Sequence, residues 1–308
     1  MPNTLTYIGE SAFENAVSAD SIPVTENNVL KIGPIVAFIG DKAFKNTTKI
    51  SVINYGANAA EDKSANNEVF YNTGKQRSGL DVMILTTTRI PSYMFNPANS
   101  AGFAPNITRL AFGGVHVASI GEYAFAYCSK IPEINIPSTV TRIEKGAFKN
   151  AMSDSSVANG VLTIGEGVTS LGNIDKNGNS VSTTVIETFS GMTKLATINY
   201  NAASCIDMNA PYRATTTKPY VYNELFKNAG SGISAGIKVN IGATVKRIPA
   251  QLFNSTNTTT NRPNISGVVF ESGSICESIG SYAFANCDAI VDNLILPESI
   301  KNKYDAQN

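Results

Sequence analysis

The chain has 308 residues, with 24 Lys and Arg against 24 Asp and Glu, so its formal net charge is zero. No basic field therefore draws it to nucleic acid or to an anionic membrane. No apolar run approaches the roughly 18 residues of a transmembrane helix, and no segment reads as a signal peptide. Charged residues make up only 16 per cent, and Asn, Thr and Ser fill the polar positions.

In chain order, the same short motif returns again and again. It opens at Ile8-Gly9 with Phe13, recurs at Ile39-Gly40 with Phe44, and passes through Phe70 to Ile90-Pro91 with Phe95. It is fullest in SIGEYAFAYCSKIPEINIPSTVTRIEKGAFKN, from Ser119 to Asn150, where Phe125 and Phe148 are its anchors. Phe189, Phe226, Phe253 and Phe284 continue the series, at gaps of 23 to 41 residues. A recurring period of this size is the signature of a solenoid. Between motifs lie alternating segments, among them Leu80–Ile84, Ile134–Ile136, Leu162–Ile164, Leu195–Ile198 and Ile237–Ile241. Period-two alternation predicts half-buried strands.

The motif itself predicts a short helix. Ile8 and Ala12 stand four apart, on one helical face. Gly or Pro after the Ile suits a first turn. Asn follows the Phe at positions 15, 46, 72, 96, 150, 228, 254 and 286, where a left-handed residue would close the helix. Glu10, Asp41 and Glu122 then sit where a helix dipole favours negative charge.

The stretch from Ser119 to Asn150 resembles the BspA-type leucine-rich repeat, whose pattern is IP-x-x-V-x-x-IG-x-x-AF-x-x-C over about two dozen residues. The resemblance covers nearly the whole chain, and weakens at Phe70, Phe189 and Phe226, where the Ile-Gly element is altered. It implies a solenoid on a bacterial or protist cell surface, used in adhesion or protein binding. The expected fold is an α/β repeat solenoid: a right-handed superhelix of about ten coils, with a parallel β-sheet on one face and short helical turns opposite.

A second level of repetition runs through the chain. Ile53-Asn54-Tyr55 matches Ile198-Asn199-Tyr200, Arg89-Ile90-Pro91 matches Arg247-Ile248-Pro249, and Pro105-Asn106-Ile107 matches Pro263-Asn264-Ile265. Ser119 through Cys128 matches Ser278 through Cys287. Residues 1–308 thus read as one solenoid of two tandem five-coil blocks, about 1–135 and 136–308. The second block carries insertions between Gly172 and Val185 and between Asn201 and Tyr222. Gly56 to Gly79 reads as a polar, solvated excursion. Met1 precedes a half-formed repeat, as in a chain cut from within a longer array.

The longer insertion, with the residue before it, supplies the candidate ligand contacts: Tyr200, Tyr212, Arg213, Lys218, Tyr220 and Tyr222. Tyr and Arg anchor interfaces and stack on sugars, although tyrosines here also suit pinning a loop onto the solenoid. The strand face, at Asn135, Thr163, Thr197, Lys238 and Asn240, is expected to add polar contacts. Cys128 and Cys287 hold the same repeat position and read as small buried groups, too far apart for a disulfide. No zinc spacing, phosphate loop or nucleophile elbow occurs, and the single histidine, His116, lies in an apolar run. No cofactor, metal or enzymatic activity is expected. The reading is an extracellular or cell-surface monomer that binds a host or neighbouring-cell surface or matrix protein; the alternative is a surface glycan-binding protein.

Overall fold

The computed structural model describes residues 2–19, 28–96, 99–100, 102–113, 116–172, 186–208, 223–254, 261–290 and 294–305. Strands fall into two rows. The long row comprises β2 (Val29–Ile32), β4 (Val52–Tyr55), β5 (Leu80–Ile84), β7 (Ile107–Phe112), β9 (Glu133–Asn135), β11 (Gly160–Ile164), β13 (Leu195–Tyr200), β14 (Ile237–Ile241) and β16 (Ile265–Phe270). The short row comprises two-residue strands: β1 (Tyr7–Ile8), β3 (Phe38–Ile39), β6 (Arg89–Ile90), β8 (Ser119–Ile120), β10 (Arg142–Ile143), β12 (Ser170–Leu171), β15 (Arg247–Ile248) and β17 (Ser278–Ile279). Every pairing is parallel. The long row forms two sheets, β2-β4-β5-β7 and β9-β11-β13-β14-β16, with no ladder joining β7 to β9.

The alternating segments are strands because alternate residues enter one core. Leu80, Val82 and Ile84 are buried and Asp81 and Met83 are not; Ile237, Val239 and Ile241 repeat the pattern. The anchors close that core. All ten anchor phenylalanines form one stack, from Phe13 to Phe284, with successive ring centroids 5.1 to 5.9 Å apart. The segment Gly56 to Gly79 belongs to this core rather than to solvent, since Ala57, Val69 and Phe70 in it are fully buried.

The motif segments are not helices. The only helix among the described residues is α1 (Glu298–Asp305). Each motif is a run of turns in which left-handed residues fall three and seven places after the Ile: Ser11 and Asn15, Lys42 and Asn46, Tyr123 and Tyr127, Gly146 and Asn150, Tyr282 and Asn286. Six of the eight asparagines expected to be left-handed are so; Asn96 and Asn254 are instead buried. The reason is spacing. A helix with its side chains is about 10 Å across, whereas the stacked rings show neighbouring coils about half that distance apart.

Turns solve the backbone problem differently. N–H groups of Ser11, Phe13 and Asn15 donate to the carbonyls of Asp41, Ala43 and Lys45 in the next coil, at 2.8 to 2.9 Å. Those of Glu14 and Ala16 bond three residues back within the coil, at 3.0 Å. The acidic residues lose their expected dipole role as well. Asp41 Oδ1 accepts from the backbone N–H of Glu68, at 2.6 Å, and so fastens the following coil.

Candidate functional site

Tyr200, proposed from sequence as a ligand contact, is fully buried. It lies two residues after Ile198 on β13 and therefore faces the same way, into the core. Tyr55 holds the matching place on β4, fully buried and edge-on to Phe95 at 5.6 Å. Burial pushes both phenols up from their usual range. Tyr212, Arg213, Lys218, Tyr220 and Tyr222 lie outside the described residues. The insertion also begins later than Asn201. Cys205 and Met208 are buried, and the Met208 N–H donates to Ala250 C=O at 3.1 Å.

Two ion clusters pin the short strand row, and they correspond in sequence. Asp62, seven residues after Tyr55, pairs with Arg89 and accepts from the Ser92 N–H at 2.8 Å. Asp207, seven residues after Tyr200, pairs with Arg247 and accepts from the Ala250 N–H at 2.7 Å. The Arg247 guanidinium holds the Asp207 carboxyl below its ordinary range. The first cluster goes further: Arg89 also reaches Glu144 at 3.1 Å, and Arg142 meets the same carboxylate at 3.5 Å. Glu144 is 1% exposed. These are structural ties between neighbouring coils.

The cysteines are free and buried. Cys128 and Cys287 each donate to the carbonyl of the preceding coil's anchor, Phe95 at 3.4 Å and Phe253 at 3.8 Å. Burial pushes Cys205 and Cys287 up to about 12 and Cys128 further still. Native protein should therefore react with a thiol reagent at far below the rate of the urea-unfolded chain, because the thiolate is the nucleophile. Rapid reaction of Cys128 and Cys287 in native buffer would contradict this. His116 is exposed at a turn, not part of an apolar strand; the following Val117 is buried. Among the described residues no group of His, Cys, Asp and Glu could hold a metal.

What remains open is the outer face of the long strand row. Register sets Asn135, Thr163, Asn199 and Asn240 side by side. Asn240 donates to the Asn199 carbonyl oxygen at 2.9 Å, and Asn199 donates to the Thr163 hydroxyl at 3.1 Å. Glu133, Val161, Thr197 and Lys238 form the adjoining rank. All five strand-face residues expected from sequence thus belong to these two ranks, Asn135 at the edge of the first; Asn199 was missed, although its alternation with Ile198 and Tyr200 places it outward.

The face is interrupted at one place. Between β7 and β9 lies a cleft of about 530 Å³, lined among others by Arg109, Leu110, Phe112, Glu133 and Asn135. One wall of the cleft carries a bulge. Leu80 pairs with Ile107 but Asp81 pairs with Arg109, so Thr108 is an extra residue in β7. A bulge bends and over-twists its strand, but β13 carries one too, at Ala196, and still pairs with β14, so the bulge alone does not open the cleft. The β14–β16 pair repeats the device, with Ser266 as the extra residue. Sequence reasoning missed the cleft.

The family model for the BspA type leucine rich repeat region matches residues 30–111, 104–210 and 260–306, in six copies. The chain belongs to this family. No curated protein matches it. Among solved structures, a leucine-rich repeat protein from Bacteroides ovatus ATCC 8483 is 17% identical over 92% of this chain and 69% of its own, with a TM-score of 0.30. One from Eubacterium ventriosum ATCC 27560 is 17% identical over 96% and 77%, at 0.32. A leucine rich cell surface protein from Faecalibacterium prausnitzii A2-165 is 16% identical over 95% and 87%, at 0.29. In this BspA-type repeat protein no helix among the described residues is long and apolar enough to cross a membrane.

Proposed function

We propose that this chain is a non-enzymatic binding module, displayed outside the cell or on its surface, that recognises a protein partner as a monomer. The supporting observation is the amide rank Asn135–Thr163–Asn199–Asn240. Three of its side chains are linked, Asn240 to Asn199 and Asn199 to Thr163, so a partner meets a surface already partly ordered and loses less entropy in binding it. The proposal includes a right-handed superhelix of ten coils, one for each phenylalanine of the stack, arranged as two blocks, about 1–135 and 136–308. The matched clusters Tyr55–Asp62–Arg89 and Tyr200–Asp207–Arg247 favour that duplication. It also keeps Tyr212, Arg213, Lys218, Tyr220 and Tyr222 as added contacts.

A glycan ligand is less favoured. Tyr93 and Tyr123 stack on each other at 5.0 Å, and Tyr71 stacks on Phe103 at 4.4 Å, so these rings are partly covered by one another rather than free to receive a sugar.

The test is a screen of the isolated protein against host-matrix proteins and a glycan array, repeated with two variants. The double variant Asn199→Ala, Lys238→Ala should weaken a verified protein partner tenfold or more while changing stability by no more than about 1 kcal/mol. Replacing the five insertion residues by Ala should weaken it further. Binding to glycans alone, or a protein partner indifferent to both variants, would refute the reading.

A further inference from the structure

The outer face of the long row holds a hollow separate from the cleft. It has a volume of about 330 Å³ and lies over β4 and β5, on the other side of β7 from β9. Gly79 and the bulge residue Thr108 shape it. A Cβ on residue 79 would stand 2.0 Å from Thr108 Oγ1, so any residue but glycine would displace the threonine. The charged groups lining the hollow are Arg77 and Asp81.

Arg77 is half-buried, and its Nε is shut off from solvent with no acceptor. No carboxylate among the described residues pairs with it, and Asp81 is taken by Arg109 at 3.1 Å. An N–H buried without an acceptor lowers stability. The second block forms the same turn without this burden. The Arg77 N–H donates to Gly74 C=O at 2.9 Å, and the Arg77 C=O accepts from Asn106 Nδ2 at 2.9 Å. Ile233 makes the matching bonds, to Gly230 at 2.9 Å and from Asn264 Nδ2 at 2.8 Å. Gly74 and Gly230 are both left-handed. One place in the turn thus holds a buried isoleucine in one block and a guanidinium in the other. The backbone forms around either, so the coil does not need the guanidinium.

With Nε enclosed, the two Nη groups are the part of Arg77 left to meet a ligand. Arg77 and Arg109 against Asp81 leave a single positive charge. One carboxylate balances it, whereas a phosphate dianion exceeds it and is repelled by Asp81. The planar guanidinium also fits a carboxylate with two parallel hydrogen bonds. Register sets Val52, Asp81 and Arg109 side by side in outward positions, so the hollow opens on the strand face.

Resting on the protein-binding reading above, we infer that the hollow at Arg77 receives one carboxylate, carried by an Asp or Glu side chain of the partner. The charge match selects the partner's residue, while the rest of the strand face supplies contact area.

The experiment is an array of dodecapeptides, each printed in three forms that differ at one central residue: Glu, Gln or phosphoserine, with no other acid. The intact protein should be retained by the best Glu forms at least tenfold more than by their Gln forms, and at least as strongly as by the phosphoserine forms. Arg77→Ile should abolish the Glu preference, and the Asn199→Ala, Lys238→Ala variant should keep it. Arg77→Ile should also melt no lower than the unaltered protein, since it installs the residue of the second block. A melting temperature lowered by more than about 3 °C would make Arg77 a structural residue and overturn the inference. Equal retention of Glu and Gln forms, a preference that survives Arg77→Ile, or stronger retention of phosphoserine forms would overturn it too. Each of these outcomes leaves protein binding by the amide rank to its own screen.

Discussion

Phe125→Ala should destabilise the folded chain by about 3 to 5 kcal/mol, the cost of a large buried ring plus the cavity it leaves. Phe125 is fully buried, with Phe95 at 5.1 Å on one side and Phe148 at 5.4 Å on the other. Both neighbours hold their own rings in place through further rungs, so the gap cannot collapse cheaply. Phe13 offers the internal comparison. It is 40% exposed and stacks on Phe44 alone, so Phe13→Ala should cost roughly 1 kcal/mol on area alone. Equilibrium urea unfolding of both variants measures the difference. Equal losses would mean that the stack does not carry the stability assigned to it.

Glu144→Gln should cost roughly 3 to 5 kcal/mol, because it strands two guanidinium groups around a buried site. Arg89 and Arg142 both converge on that carboxylate, and among the described residues only Arg89 has another anion, Asp62, to turn to. The counterpart variant is Asp207→Asn. Its pair with Arg247 is about half exposed, and such pairs contribute about 1 kcal/mol or less. Thermal melts of the two should therefore differ widely. Similar small shifts would show that water reaches Glu144 and that the cluster is screened.

The stack was legible in the sequence because most units announce their anchor locally: Ile, then Phe five residues on, then Asn. The turn conformation was not. Ile8 and Ala12 sit four apart in a helix, but two successive turns, each ended by a left-handed residue, produce the same spacing. What decides between them is the distance to the neighbouring coil, which no single repeat contains. The strand face was partly legible, since alternation puts Asn135, Thr163 and Asn240 outward; the same rule, applied to Tyr200, would have sent it inward. The bulge beside the cleft is one extra residue, Thr108, and a single-residue shift in register leaves composition and pattern almost unchanged. The partner of Asp62 was hidden for another reason. Arg89 is 27 residues away, and only the stacking brings them together.

The backbone hydrogen bonds that pass from each coil to the next run along the length of the stack rather than across it. A load applied to the two ends therefore meets those bonds one junction after another, as a zip does, and not all at once. Each junction that gives way frees the chain stored in one coil. Coils hold between 23 and 41 residues, so every release lengthens the molecule by roughly 80 to 140 Å at about 3.5 Å per residue. Nearest-neighbour coupling allows the remaining coils to stay folded meanwhile. An array built this way yields in unequal steps and rewinds from whichever coils are left.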